Sequence, residues 1–160
     1  MGKSNEIINA KDTTIYDFLK NSKQIIIPRY QRPYSWEKKN VETLMNDVRE
    51  NYYIGNIIEY YINDDKEIVD GQQRLITIFL ILIAIYHYIK DESIKNEIKE
   101  MIKTNDKCKM ILKSRIANDG SDILEYLIDG EAIPKEFVQK YNEIKIYKII
   151  EKDLKNRDIN

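Results

Sequence analysis

The sequence predicts an α+β domain, a small mixed β-sheet flanked by helices, and three observations carry that prediction. Short β-branched or aromatic runs recur between turn residues, at 24–27, 53–62 and 67–69. Longer segments place apolar residues at helical spacing, as in Val41, Leu44, Met45 and Val48. The run from Leu75 to Tyr86 is apolar almost without a break, which marks a helix buried in the middle of a domain. That run is too short to cross a bilayer.

Composition sets the outer bounds. The 160 residues are enough for one domain with a sizeable core, and 33% charged against 42% hydrophobic residues is a globular balance. A net charge of -1 offers no global basic field, so any nucleic-acid contact has to be a local patch. The single cysteine, Cys108, excludes an internal disulfide and favours a reducing compartment. Residues 1–12 lack the apolar core of a signal peptide. A cytoplasmic location and no membrane partner are therefore expected. Neither an internal repeat nor a low-complexity linker divides the chain, so 1–160 reads as one domain with a core over about 13–90 and a helical extension over about 91–160.

Taken in order, a first helix is expected over 13–20, capped by Thr13 or Thr14, with Ile15, Phe18 and Leu19 on its apolar face. Residues 24–27 form a buried strand closed by Pro28. Ser35 is the expected N-cap of a helix over 37–49. A strand over 53–62 comes next, interrupted at Gly55-Asn56, where glycine permits a bulge or a close backbone approach. The turn at 63–65 returns the chain as a partner strand over 67–69. A helix runs from Gln72 to about Lys90 and another from Ser93 to about Lys103. His87 reads as a helix-end residue; no second histidine exists to build a metal pair. A strand over 108–116, a turn at 118–120, a helix capped by Ser121 and ended by Gly130, and a last helix entered near Pro134 complete the chain.

Two stretches carry chemistry. The first is Asp70-Gly71-Gln72-Gln73-Arg74, where a strand ends in a glycine turn and opens the apolar helix. A helix start leaves backbone N–H groups without partners, and with the dipole behind them they suit a phosphate. Arg74 adds a planar, permanently charged donor fork in the first turn. The same residues also fit a capping box, Asp70 and Gln73 each satisfying a backbone N–H. The second stretch is PRYQRPYSW, 28–36, which packs Arg29, Tyr30, Arg32, Tyr34 and Trp36 into a loop stiffened by two prolines. Arginines and aromatics on such a loop can grip a phosphate and stack on a base, or the aromatics can be core anchors with the arginines at the surface.

Three motifs in order, IPRYQRPYSW at 27–36, YIGNII at 53–58 and IVDGQQRLITI at 68–78, resemble the N-terminal domain of GmrSD-type, modification-dependent restriction proteins. The segment 111–130 resembles the stretch just after the core in that family. The resemblance implies a core similar to the ParB and sulfiredoxin nucleotide-binding folds. It also implies a domain that binds and hydrolyses a nucleoside triphosphate (GTP, ATP or another) and licenses DNA cleavage in anti-phage defence. The family's DGQQR motif falls on Asp70, Gly71, Gln72, Gln73 and Arg74, and its QR motif on Gln31 and Arg32. Asn56, beside Gly55, stands where the family has a small polar residue. Full-length members carry an HNH-type nuclease domain, and one histidine is too few for it. An HNH-type domain or subunit is thus an expected partner, and cleavage by this chain alone is not expected.

On this reading a nucleotide sits between the 70–74 turn and the 28–36 loop. The N–H groups of Gly71, Gln72 and Gln73 hold phosphate oxygens, while Arg74 and Arg32 neutralise charge. Asp70 binds Mg²⁺ or positions water, and one of Tyr30, Tyr34 or Trp36 stacks on the base. Asp70, Gln73 and Arg74 are the catalytic candidates. The competing expectation is a DNA-binding or protein-docking module that uses Arg29, Arg32 and the loop aromatics without chemistry.

Overall fold

The computed structural model describes residues 9–113 and 123–157. Helix α1 (Ile15–Lys20) is capped by Thr14, whose hydroxyl accepts from the Asp17 N–H at 3.0 Å. Strand β1 (Ile25–Ile27) is next, then α2 (Lys38–Arg49), β2 (Ile58–Ile62), β3 (Asp65–Asp70) and the central helix α3 (Gln72–Tyr88). Beyond it come α4 (Glu92–Ile102), a two-residue hairpin of β4 (Lys103–Thr104) and β5 (Lys107–Cys108), β6 (Met110–Leu112), α5 (Ile123–Asp129), α6 (Lys135–Lys140) and α7 (Asn142–Arg157). No helix among the described residues is long and apolar enough to cross a membrane.

The main sheet has the order β2-β3-β1-β6 and is mixed. β2 and β3 form an antiparallel hairpin, and β1 runs parallel to both β3 and β6. Period-two alternation divides its faces. Ile25, Ile68 and Met110 are fully buried on one, while Ile58, Tyr60 and Ile62 of the edge strand are exposed on the other. Helix α3 supplies the centre of the core through Phe79, Leu80 and Ile83, all fully buried, and packs against α4, α5 and α7. The α+β class and the buried helix after Arg74 are thus as the sequence predicts.

Several boundaries differ, each for a physical reason. Ser35 does not cap α2: the helix starts two residues later, where Glu37 caps it in a box with Asn40, and the Ser35 N–H donates to Gln73 Oε1 at 2.8 Å. The strand expected from 53 begins only at Ile58, since Gly55 takes a φ of 111° and 53–57 wraps the start of α3. The helix expected from Ser93 begins at Glu92, capped by Asp91, which accepts from the Ser93 and Ile94 N–H groups. The described part of the strand expected at 108–116 is two pieces, preceded by a turn at Asn105-Asp106 with both φ values positive, as a tight hairpin requires; 114–116 lie outside the described residues. The last helix breaks at Tyr141, which is extended, so that Asn142 can donate to the Trp36 carbonyl at 2.8 Å. Gly130 ends α5 with a φ of 68°, as expected of a glycine C-cap. The turn at 118–120 and the Ser121 cap lie outside the described residues.

Candidate functional site

The first turn of α3 draws the three sequence motifs together. Its cap is Gly71, in the left-handed region with φ 91° and ψ 12°, and it supplies no side-chain acceptor. A capping box between Asp70 and Gln73 is not formed. Asp70, the last residue of β3, pairs in register with Ile58 and remains exposed beside the cap. Gln73 instead turns its carboxamide onto the proline-rich loop, accepting from the Ser35 N–H and donating to the Pro33 carbonyl at 3.2 Å. Gln31 ties the same loop to the end of β3, donating to the Val69 carbonyl at 2.8 Å and to that of Ile68 at 3.3 Å.

The middle motif closes on the other side. Arg74 donates to the Asn56 carbonyl at 3.1 Å, and its guanidinium lies flat against Gly55. A Cβ built on Gly55 would stand 2.7 Å from the guanidinium carbon, and one on Gly71 would stand 3.0 Å from the Asn56 oxygen. Both glycines are favoured by φ, and at Gly71 the contact is with backbone, which cannot move aside as the Arg74 side chain can at Gly55. Tyr53 donates a short hydrogen bond to the Asn56 side chain, and its ring is exposed.

The loop aromatics separate by burial. Tyr34 is only 5% exposed and its hydroxyl bonds to Thr77 at 2.7 Å, so its ring is a core anchor with no face open to a base. Burial pushes that phenol's pKa up, and the carboxylate of Glu143 adds to the rise. Trp36 is half-buried against the core. Tyr30 stands 58% exposed, and Arg29 and Arg32 are exposed on the same loop. Tyr30 also hydrogen-bonds Tyr60, whose phenol is pushed up to about 12, first by its hydrogen bond to Glu67. Gln72 is buried at 8%.

Three contributors were not singled out by the sequence reading: Thr77, Tyr53 and Asn142. Thr77 had a visible signal, as the lone hydroxyl within an apolar run and one turn beyond Gln73, whose carbonyl it also bonds at 2.8 Å. Asn142 acts across a distance no local pattern encodes, whereas Tyr53 reaches only Asn56, within a stretch whose composition reads as strand.

A family profile described as GmrSD restriction endonuclease, N-terminal domain, matches residues 15–160. The chain belongs to the GmrSD N-terminal domain family. No curated protein matches it. Membership makes this domain a component of a restriction system, and the matched span takes in every motif that converges on α3. Among the described residues of this GmrSD N-terminal domain, no three His, Cys, Asp or Glu side chains gather closely enough to hold a metal. Within the 70–74 turn Asp70 is the one carboxylate, and Mg²⁺ commonly takes one or two carboxylates and completes its shell with phosphate oxygens and water.

Proposed function

We propose that this GmrSD N-terminal domain binds a nucleoside triphosphate at the first turn of α3 and hydrolyses it to license DNA cleavage by an HNH-type nuclease domain or subunit. The observation that carries the reading is a helix start capped by a glycine with no side-chain acceptor, flanked by Arg74 and by the exposed Asp70. Amides of that turn are suited to phosphate oxygens, and the 17-residue helix behind them adds its dipole. Arg74 spends one donor on Asn56 and keeps the rest of its fork to offset charge that develops in phosphoryl transfer. Asp70 would hold Mg²⁺ or orient water, and a bound Mg²⁺ would offset phosphate charge there. Gln73 is a positioning residue, because its carboxamide is committed to the loop. Tyr30 is the loop aromatic best exposed to stack on a base, and Arg32 lies two residues beyond it.

Calorimetric titration of the purified protein with each NTP and Mg²⁺ tests the site. Binding tighter than about 1 mM is expected, weakened at least roughly tenfold by Arg74→Ala. No binding in that range, or an Arg74→Ala protein that binds as wild type, overturns the assignment.

A second reading, a DNA-binding module without chemistry, draws on the exposed Tyr30 between the exposed Arg29 and Arg32. Salt separates the two: affinity for a nucleic-acid backbone falls steeply as salt rises, and affinity of a compact nucleotide pocket falls less.

A further inference from the structure

The opposite end of α3 holds a cavity that the nucleotide reading does not use. It has a volume of about 270 Å³ and lies roughly 24 Å along the helix from Gln72, at 1.5 Å per residue. Three tyrosines line it, Tyr88, Tyr126 and Tyr147, together with the carboxylates of Glu131 and Glu151. No lysine or arginine is among the lining residues. Glu151 accepts the Tyr88 hydroxyl at 2.6 Å, and the Lys155 ammonium interacts with both residues. The last turns of α3 and α5 both end at the cavity, through Tyr88, Leu127 and Gly130, and helix C-termini carry partial negative charge.

Tyr147 is the feature that points to a ligand. It is only 6% exposed, it lines the cavity, and its hydroxyl makes no hydrogen bond among the described residues. That hydroxyl is not sealed from solvent, so a donor group entering the cavity can reach it. The rim already attracts a cation: Lys155 Nζ lies 5.2 Å from the Tyr88 ring centroid.

We infer that this cavity binds a small organic cation, an ammonium or guanidinium group that donates to the Tyr147 hydroxyl and the Glu151 carboxylate against the faces of Tyr88 and Tyr126. The group could arrive on a free diamine or on a lysine or arginine side chain of a partner protein. Putrescine therefore forms one arm of the test, and N-acetyl-lysine and N-acetyl-arginine methylamides form the other. Titrations are followed by NMR shifts of the tyrosine ring protons on the whole chain, without nucleotide, so that the outcome is independent of the site at Arg74. Saturable binding below ~10 mM is expected, with the stronger arm naming the source. Glu151→Gln weakens it about tenfold or more, since a charge-assisted contact is lost. Tyr147→Phe, which keeps the ring and its packing, weakens it several-fold. Lys155→Met tightens it by removing a competing cation. Absence of saturable binding in both arms, or a folded Glu151→Gln protein with unchanged affinity, overturns the inference.

Discussion

A carboxyl group sealed near Tyr34 gives the protein a pH dependence that its surface charges do not. Glu143 lies in the first turn of α7, 7% exposed, and burial raises its pKa to about 7 despite a hydrogen bond from its own backbone N–H. The folded state therefore keeps this proton between pH 4.5, the ordinary carboxyl value, and about 7, where the unfolded chain has released it. Stability from this group is complete below the unfolded value and is lost as pH rises through 7. Urea titrations should find the protein less stable at pH 8 than at pH 5, by up to ~3 kcal/mol from Glu143. Glu143→Gln should flatten that dependence; a Gln variant with the wild-type slope would assign it elsewhere. Tyr34, Thr77 and Gln73 show the same point for hydrogen bonds: each residue at the site is held by a partner some forty positions away or one turn along.

At the scale of elements, two glycines that look alike in sequence should fail differently. Gly71→Ala meets the Asn56 backbone oxygen, which cannot swing aside, at a φ of 91°, and should cost about 1–3 kcal/mol of stability in a thermal melt. Gly55→Ala is strained too, but it meets the end of the Arg74 side chain. Its folded fraction should lose nucleotide affinity as Arg74→Ala does. If the folded Gly55→Ala protein binds nucleotide normally, the packing of Arg74 on Gly55 has no role in binding. Elements with local signals were legible in the sequence: the Thr14 cap, the Ile25–Ile27 strand and the apolar run of α3 all fall where their residues predict. Starts set by distant contacts were not. Ser35 is an excellent cap whose backbone N–H is taken by Gln73, and Tyr53 to Ile57 has strand composition but encloses a helix start. The motif residues were found as a set, while their partition into core anchor, clamp and exposed ring depended on burial that sequence does not report.

Across the whole molecule, the sheet is assembled from pairings distant in sequence. Ile25 lies opposite Lys66 on one side and Met110 on the other, and both neighbours are parallel. Such topologies fold slowly, because loop closure precedes the reward. Stopped-flow refolding followed by Trp36, the single tryptophan, should show relaxation in milliseconds to seconds; microsecond folding would contradict the non-local sheet.

The central position of β1 has a consequence during synthesis. Its three isoleucines leave the ribosome well before the strand that seals their far side, which is not complete until Leu112. At translation rates of ~5–20 residues per second, that interval lasts roughly 4–17 s. For that time one edge of a sticky β-branched segment stays unpaired in its own chain, and a holdase chaperone or a neighbouring nascent polypeptide has the first opportunity to occupy it.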